Sequence, residues 1–167
     1  DTAPLAPLVV GGGQEMGRRS GTENVAGIAG FGAAALIAGQ ELAAGKQAAI
    51  RELRDMLEGG VQRLATQYHQ AVTVAAQTST RAVNTSCIIL PGVKGETQVM
   101  HMDLGRVCVS SGSACSSGKV KVSHVLTAMG FSDEDAMSSI RVSLGYASTK
   151  DDVTSFLEVY ERLLARL

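Results

Sequence analysis

The sequence predicts an α/β fold in which long helices pack on a small sheet, and three patterns carry that expectation. Ile50, Leu53, Leu57, Val61 and Leu64 recur at helical spacing, with Arg51, Arg54, Asp55 and Gln62 largely off that face. From Val72 onward, β-branched strand-like runs alternate with short helical ones. The chain then closes on a second amphipathic stripe, Val153, Phe156, Leu157, Tyr160, Leu163 and Leu164.

Leu8-Val9-Val10 reads as the end of a strand whose sheet partners would lie upstream, so the chain is expected to be a piece of a longer protein. After Gly11-Gly12-Gly13 a loop runs to Thr22, and a long helical pattern begins at Glu23. Gly27, Gly30 and Gly32 each cost that helix ~1 kcal/mol relative to alanine, so close packing must hold it. The uncharged run Val25 to Gly39 contains four glycines and is flanked by Glu23 and Glu41. It falls short of the ~20 apolar residues of a membrane span and is predicted to be a tightly packed, buried helix. Gly59-Gly60 marks a weak point in the next helix.

Val72 to Val74 and Ala82 to Leu90 are strand-like, with a turn at Pro91-Gly92. Glu96 to Leu104 suits a short helix, and Val107-Cys108-Val109 a strand. Ser123 to Met129 reads as a helix closed by Gly130, and Ser139 to Leu144 as a strand. Ser132 with Asp135, and Ser148 with Asp151, match the capping-box spacing with Asp in place of Glu.

At 167 residues and 45% hydrophobic, the chain can build one globular domain, with room for a second piece. A net charge of −1 without any Lys/Arg block argues against nucleic-acid binding. Three cysteines at no framework-like spacing point to a reducing compartment, with the cytoplasm as default. His69, His101 and His124 share no metal-ligand spacing with the cysteines, so no metal site is expected.

Three features could carry chemistry. Cys115 lies in Ser110-Ser111-Gly112-Ser113-Ala114-Cys115-Ser116-Ser117-Gly118, a run of small residues that packs poorly; it is either presented for reaction or a tolerated surface thiol. Lys119, Lys121 and His124 follow closely and either favour its thiolate or are simply solvated. Cys87 and Cys108, in apolar and β-branched surroundings, are expected to be buried. The cluster Arg18-Arg19-Ser20-Gly21-Thr22-Glu23 suits a phosphate or carboxylate at a helix start, unless Ser20 simply caps the helix with Glu23. Alternation in Ser139 to Gly145 sets Arg141, Ser143 and Gly145 on one face and Ile140, Val142 and Leu144 on the other. Arg141 then needs an anion, either a protein carboxylate or that of a substrate.

Taken together, Gly11 to Asn24, Ser110 to Gly118 and Ser139 to Gly145 resemble, in order and spacing, the C-terminal part of cysteine desulfurases. These are pyridoxal-phosphate enzymes of the class V aminotransferase group. The resemblance implies the small-domain portion of a fold-type I pyridoxal-phosphate enzyme. Residues 1–22 would be a remnant of the large cofactor-binding domain, and residues 23–167 the small domain with its linking helix. It implies that Cys115 takes sulfur from L-cysteine as a persulfide, that Arg141 binds the substrate carboxylate, and that Thr22 reaches the cofactor phosphate across a homodimer. An iron–sulfur scaffold or another acceptor protein would receive the sulfur. None of Lys46, Lys94, Lys119, Lys121 or Lys150 stands in the context of the cofactor-bearing lysine, so this stretch alone is expected neither to bind the cofactor nor to turn over. Lys119-Val120-Lys121-Val122 departs from the acidic residue and proline expected there. Competing readings are a selenocysteine lyase or other class V lyase, and a stand-alone persulfide carrier.

Overall fold

The computed structural model describes residues 6–112 and 122–167, and the chain divides into two compact units, Asp1–Gly45 and Lys46–Leu167.

The first unit is a glycine-rich turn followed by helix α1, Val25–Ala43. Buried Ser20 ties the turn together: its amide donates to the Val9 carbonyl at 3.0 Å and its hydroxyl to the Gly12 carbonyl at 2.7 Å. Within the turn, Glu15 and Met16 take left-handed φ values of 50° and 58°. Ser20 therefore does not cap α1. The cap is Asn24, whose side chain accepts from the Gly27 amide at 3.1 Å.

The expectation that α1 is buried does not hold: none of its residues is buried, and Val25, Ile28, Phe31, Leu36, Ile37 and Leu42 are all more than half exposed. Val25, Ile28, Phe31, Leu36 and Leu42 fall within about 140° of one another around the axis, with Ile37 off that arc, so most of the large apolar residues share one broad side of the helix. By length and composition alone, α1 could cross a membrane.

The second unit is built on an antiparallel sheet in the order β1-β2-β4-β3, from Thr73–Val74, Thr85–Ile89, Ser139–Ser143 and Ser110–Ser111 respectively. One face carries the main core, made with α2 (Gln47–Gln67), α3 (Gly95–Leu104) and α6 (Lys150–Leu164). Leu57 and Val61 of α2, Met102 of α3, and Val153, Phe156, Val159, Tyr160, Leu163 and Leu164 of α6 meet Ile88, Ile140 and Val142 there. Phe156 and Tyr160 stack with ring centroids 5.6 Å apart. The other face carries a small cluster of Ala75, Ile89, Leu126 and Ala136, with Cys87, Val122 and Phe131 packed against it. Leu126 and Ala136 come from the short helices α4, His124–Ala128, and α5, Asp133–Met137.

Close approaches explain two glycines. A Cβ on Gly60 would meet Leu157 of α6 at 2.5 Å, so the expected weak point is where α2 and α6 touch. A Cβ on Gly95 would stand 2.5 Å from the Ser139 carbonyl, where α3 starts against β4. Gln98, fully buried, fastens the same junction by donating to the carbonyls of Val93 and Ser138, each at 2.8 Å.

Three local expectations are corrected. Val107 to Val109 form no strand, because Arg106 turns left-handed at φ 63° and the Val107 amide returns to the Met102 carbonyl at 2.9 Å. Ladder pairing begins only at Ser110. Cys108 is consequently exposed rather than buried. The capping box of α6 is Thr149 with Asp152, one residue beyond the expected pair, while Ser148 accepts from the Gly145 amide at 2.9 Å.

Two outcomes follow from these contacts. Gly95→Ala should destabilise the chain by about 1–3 kcal/mol in urea unfolding, since rigid backbone must yield, whereas Gly60→Ala should cost less because the end of Leu157 can rotate away. Backbone and side-chain hydrogen bonds from Thr149 hold the Asp152 carboxyl below its ordinary value. Its folded-state pKa being lowered, the stabilisation is complete above the unfolded value of ~3.9 and fades as pH falls through the folded one. Asp152→Asn should therefore flatten the acid limb of the unfolding curve, as followed by circular dichroism.

Candidate functional site

Arg141 sits on β4, a central strand of the sheet, and its register fixes its neighbours. It lies opposite Cys87 of β2 on one side and opposite Ser110 of β3 on the other. Directly opposed residues share a face, so the three form one row, with neighbouring strands ~4.8 Å apart. Ile140 and Val142, one step either way, point into the main core, as the alternation predicted. Arg141 itself is exposed, and among the described residues no carboxylate lies within ion-pairing distance of it. Of the two partners the sequence left open, a protein carboxylate is not supplied by the described residues.

Beside this row opens a cavity of about 460 Å³, lined by Arg141 and Cys87 and by apolar groups that include Ala75, Ala82, Leu126 and Met129. Arg81 also reaches its edge, but its guanidinium is engaged. Its Nη2 lies 2.6 Å from each oxygen of buried Glu58, and its Nη1 donates to the Thr85 carbonyl at 3.0 Å. The Ser86 hydroxyl also donates to Glu58. No Asp or Glu is among the described lining residues.

The three cysteines separate clearly. Cys87 is half-buried and faces the cavity; burial pushes its thiol up, with the Arg141 charge and a hydrogen bond with Ser139 opposing that shift. A thiol so placed is a poor nucleophile at neutral pH. Cys108 lies apart, in a hollow of about 300 Å³ with Arg106, Ser143 and Asp152. Cys115, with Lys119 and Lys121, lies outside the described residues. The described chain stops at Gly112, three positions before Cys115, and resumes at Val122; Gly112, Ser123 and His124 all line the cavity.

In the first unit, Thr22 is exposed and its hydroxyl has no hydrogen-bond partner among the described residues. Arg19 folds the turn instead of facing outward, donating to the carbonyls of Gly21 at 3.2 Å and Thr22 at 2.7 Å. Arg18 is exposed and unpaired among the described residues. A free hydroxyl and a free guanidinium just before the first turn of α1 are the donor types that suit a phosphate. No group of His, Cys, Asp and Glu among the described residues could hold a metal ion.

Sequence reasoning missed the cavity and the Glu58 pair. Alternation in β2 could have turned Cys87 away from Ile88, but the alanine wall comes from loop residues that carry no pattern. Glu58 lies between the core residues Leu57 and Val61 in sequence, and its partner Arg81 is remote along the chain.

Known proteins resemble this chain over nearly all of it. The Aminotransferase class-V family matches residues 9–156. A cysteine desulfurase of Cereibacter sphaeroides is 38% identical over 98% of this chain and 40% of its own length. A cysteine desulfurase IscS of Dictyoglomus turgidum is 40% identical over the same shares of the two chains. The X-ray structure of a NifS-like protein from Rickettsia africae superposes with a TM-score of 0.82 at 34% identity, covering 99% of this chain and 41% of that one. The chain thus spans about 40% of the length of the curated relatives it matches. Matched from Val9 to Phe156, through the turn before α1 and the whole sheet that carries Arg141, the chain belongs to the class-V aminotransferase family.

Proposed function

We propose that this chain is the small-domain portion of a pyridoxal-phosphate-dependent cysteine desulfurase, which converts L-cysteine to alanine and holds the sulfur as a persulfide on Cys115. The observation that carries the proposal is Arg141, unpaired among the described residues and fixed on a central strand in register with Ser110–Ser111, the strand that precedes Cys115 in sequence. Cysteine desulfurases among the relatives support it, and class-V aminotransferases are pyridoxal-phosphate enzymes.

Each residue then has a distinct task. Arg141 grips the substrate carboxylate through its two-pronged guanidinium and so orients the substrate sulfur. The Cys115 thiolate attacks that sulfur: an S–S bond forms, the carbon–sulfur bond breaks, and its electron pair stays on the carbon, which is protonated to give alanine. Pyridoxal phosphate, when bound, supplies the electron sink for this chemistry. Thr22, with its free hydroxyl, holds the phosphate end across a homodimer interface. Because none of the chain's lysines stands in the context of the cofactor-bearing one, that residue belongs to another part of the enzyme, and this stretch alone neither binds the cofactor nor turns over. The persulfide passes to an acceptor protein of iron–sulfur cluster assembly in the cytoplasm.

In the complete enzyme, Cys115→Ser should abolish persulfide formation while cofactor absorbance and fold persist, because a serine hydroxyl is not ionised at neutral pH. Alkylation and mass spectrometry after exposure to cysteine read this directly, and finding the added sulfur on Cys87 or Cys108 would overturn the assignment. Arg141→Lys keeps the charge but loses the fork, and should lower kcat/KM by a factor corresponding to about 1.5–3 kcal/mol. An unchanged kcat/KM would remove Arg141 from the site.

A further inference from the structure

We propose that the cavity beside Arg141 is a binding site for small monocarboxylates with an apolar, uncharged body, of the branched or aromatic alkanoate class. The proposal shares with the preceding reading only the assignment of Arg141 to a carboxylate.

Size gives the first argument. The cavity of about 460 Å³ falls in the ~300–1,000 Å³ range of small-molecule sites, and a three-carbon amino acid held at Arg141 would leave most of it unfilled. The walls give the second. Ala75, Ala82, Val125, Leu126 and Met129 present hydrocarbon, so a ligand that reaches past Arg141 gains by bringing an apolar body.

Charge gives the third argument and narrows the class. Among the described residues Arg141 offers an unpaired guanidinium to the cavity, whereas the other arginine lining it is held by Glu58. An anion is therefore matched. A ligand ammonium is not, since the described lining contains no Asp or Glu and the nearest buried carboxylate, Glu58, is already held by Arg81 and Ser86. Amino acids with large side chains should thus bind less well than the acids that lack the amino group.

Calorimetric titration of the 167-residue chain with 3-phenylpropanoate, propanoate and phenylalanine tests this. 3-Phenylpropanoate should bind at least about tenfold more tightly than either of the others, as its buried ring requires. Arg141→Met should weaken it by about tenfold or more, in keeping with loss of a charged hydrogen-bonded pair. The double change Val125→Ser with Met129→Ser, at exposed positions, should bring 3-phenylpropanoate close to propanoate, which has no ring to lose against those walls.

A second readout needs no variant. Saturating 3-phenylpropanoate should slow alkylation of Cys87 by neutral iodoacetamide in mildly alkaline buffer, while exposed Cys108, outside the cavity, reacts at its usual rate. Peptide mass spectrometry separates the two. Equal affinity for the three ligands, no binding, or an unprotected Cys87 overturns the proposal, and none of these results alters where persulfide forms in the complete enzyme. Persulfide found away from Cys115, conversely, removes the desulfurase reading and leaves this site standing.

Discussion

The pairing of β2 with β4 is the constraint on which the second unit depends. Five cross-strand pairs run from Thr85 opposite Ser143 to Ile89 opposite Ser139. Because successive side chains alternate, this register sends Ile88, Ile140 and Val142 into the helix-covered core and turns Cys87 and Arg141 to the other face together. A slip of one residue would bury the guanidinium among Tyr160, Leu57 and Val61 without a partner, at a cost the core could not bear. The fold and the candidate site are therefore specified by the same hydrogen-bond ladder.

Buried polar groups reinforce that register. Glu58 receives Arg81 and Ser86, linking helix α2 to the segment that leads into β2 and to β2 itself. A pair of charges at this depth is weak evidence of net stabilisation, since desolvation offsets much of the attraction. It does discriminate against alternatives, because any arrangement that separates Glu58 from Arg81 strands a charge. Near the site this has a further effect, leaving Arg141 as the unpaired arginine among the described lining residues.

Much of the second unit was legible in the sequence because its elements are simple amphipathic ones. The stripes of α2 and α6, and the alternation in β4, survive almost residue for residue as the observed core. Failures concentrate where backbone geometry outweighs propensity. A left-handed Arg106 displaced a strand that three apolar residues seemed to guarantee, and exposed Cys108 with it. Helix α1 failed differently, as small residues suggested intimate packing that the described residues do not provide. At the candidate site, Arg141 was readable from its strand context. The alanine-lined cavity was not, because alanines in loops have no periodicity to betray them.

The central position of β4 also bears on how the protein breathes. Paired along its length with β2 and capped on its other edge by the two residues of β3, it belongs to the part of the sheet whose amides open last to solvent. Thr73–Val74 and Ser110–Ser111, with two pairs each, can fray and re-form many times before that happens. In hydrogen-exchange terms, the strand that anchors the Arg141 guanidinium should be among the last in the unit to open, so fluctuation at the two-residue edge strands would reshape the rim of the cavity before it moved the charge.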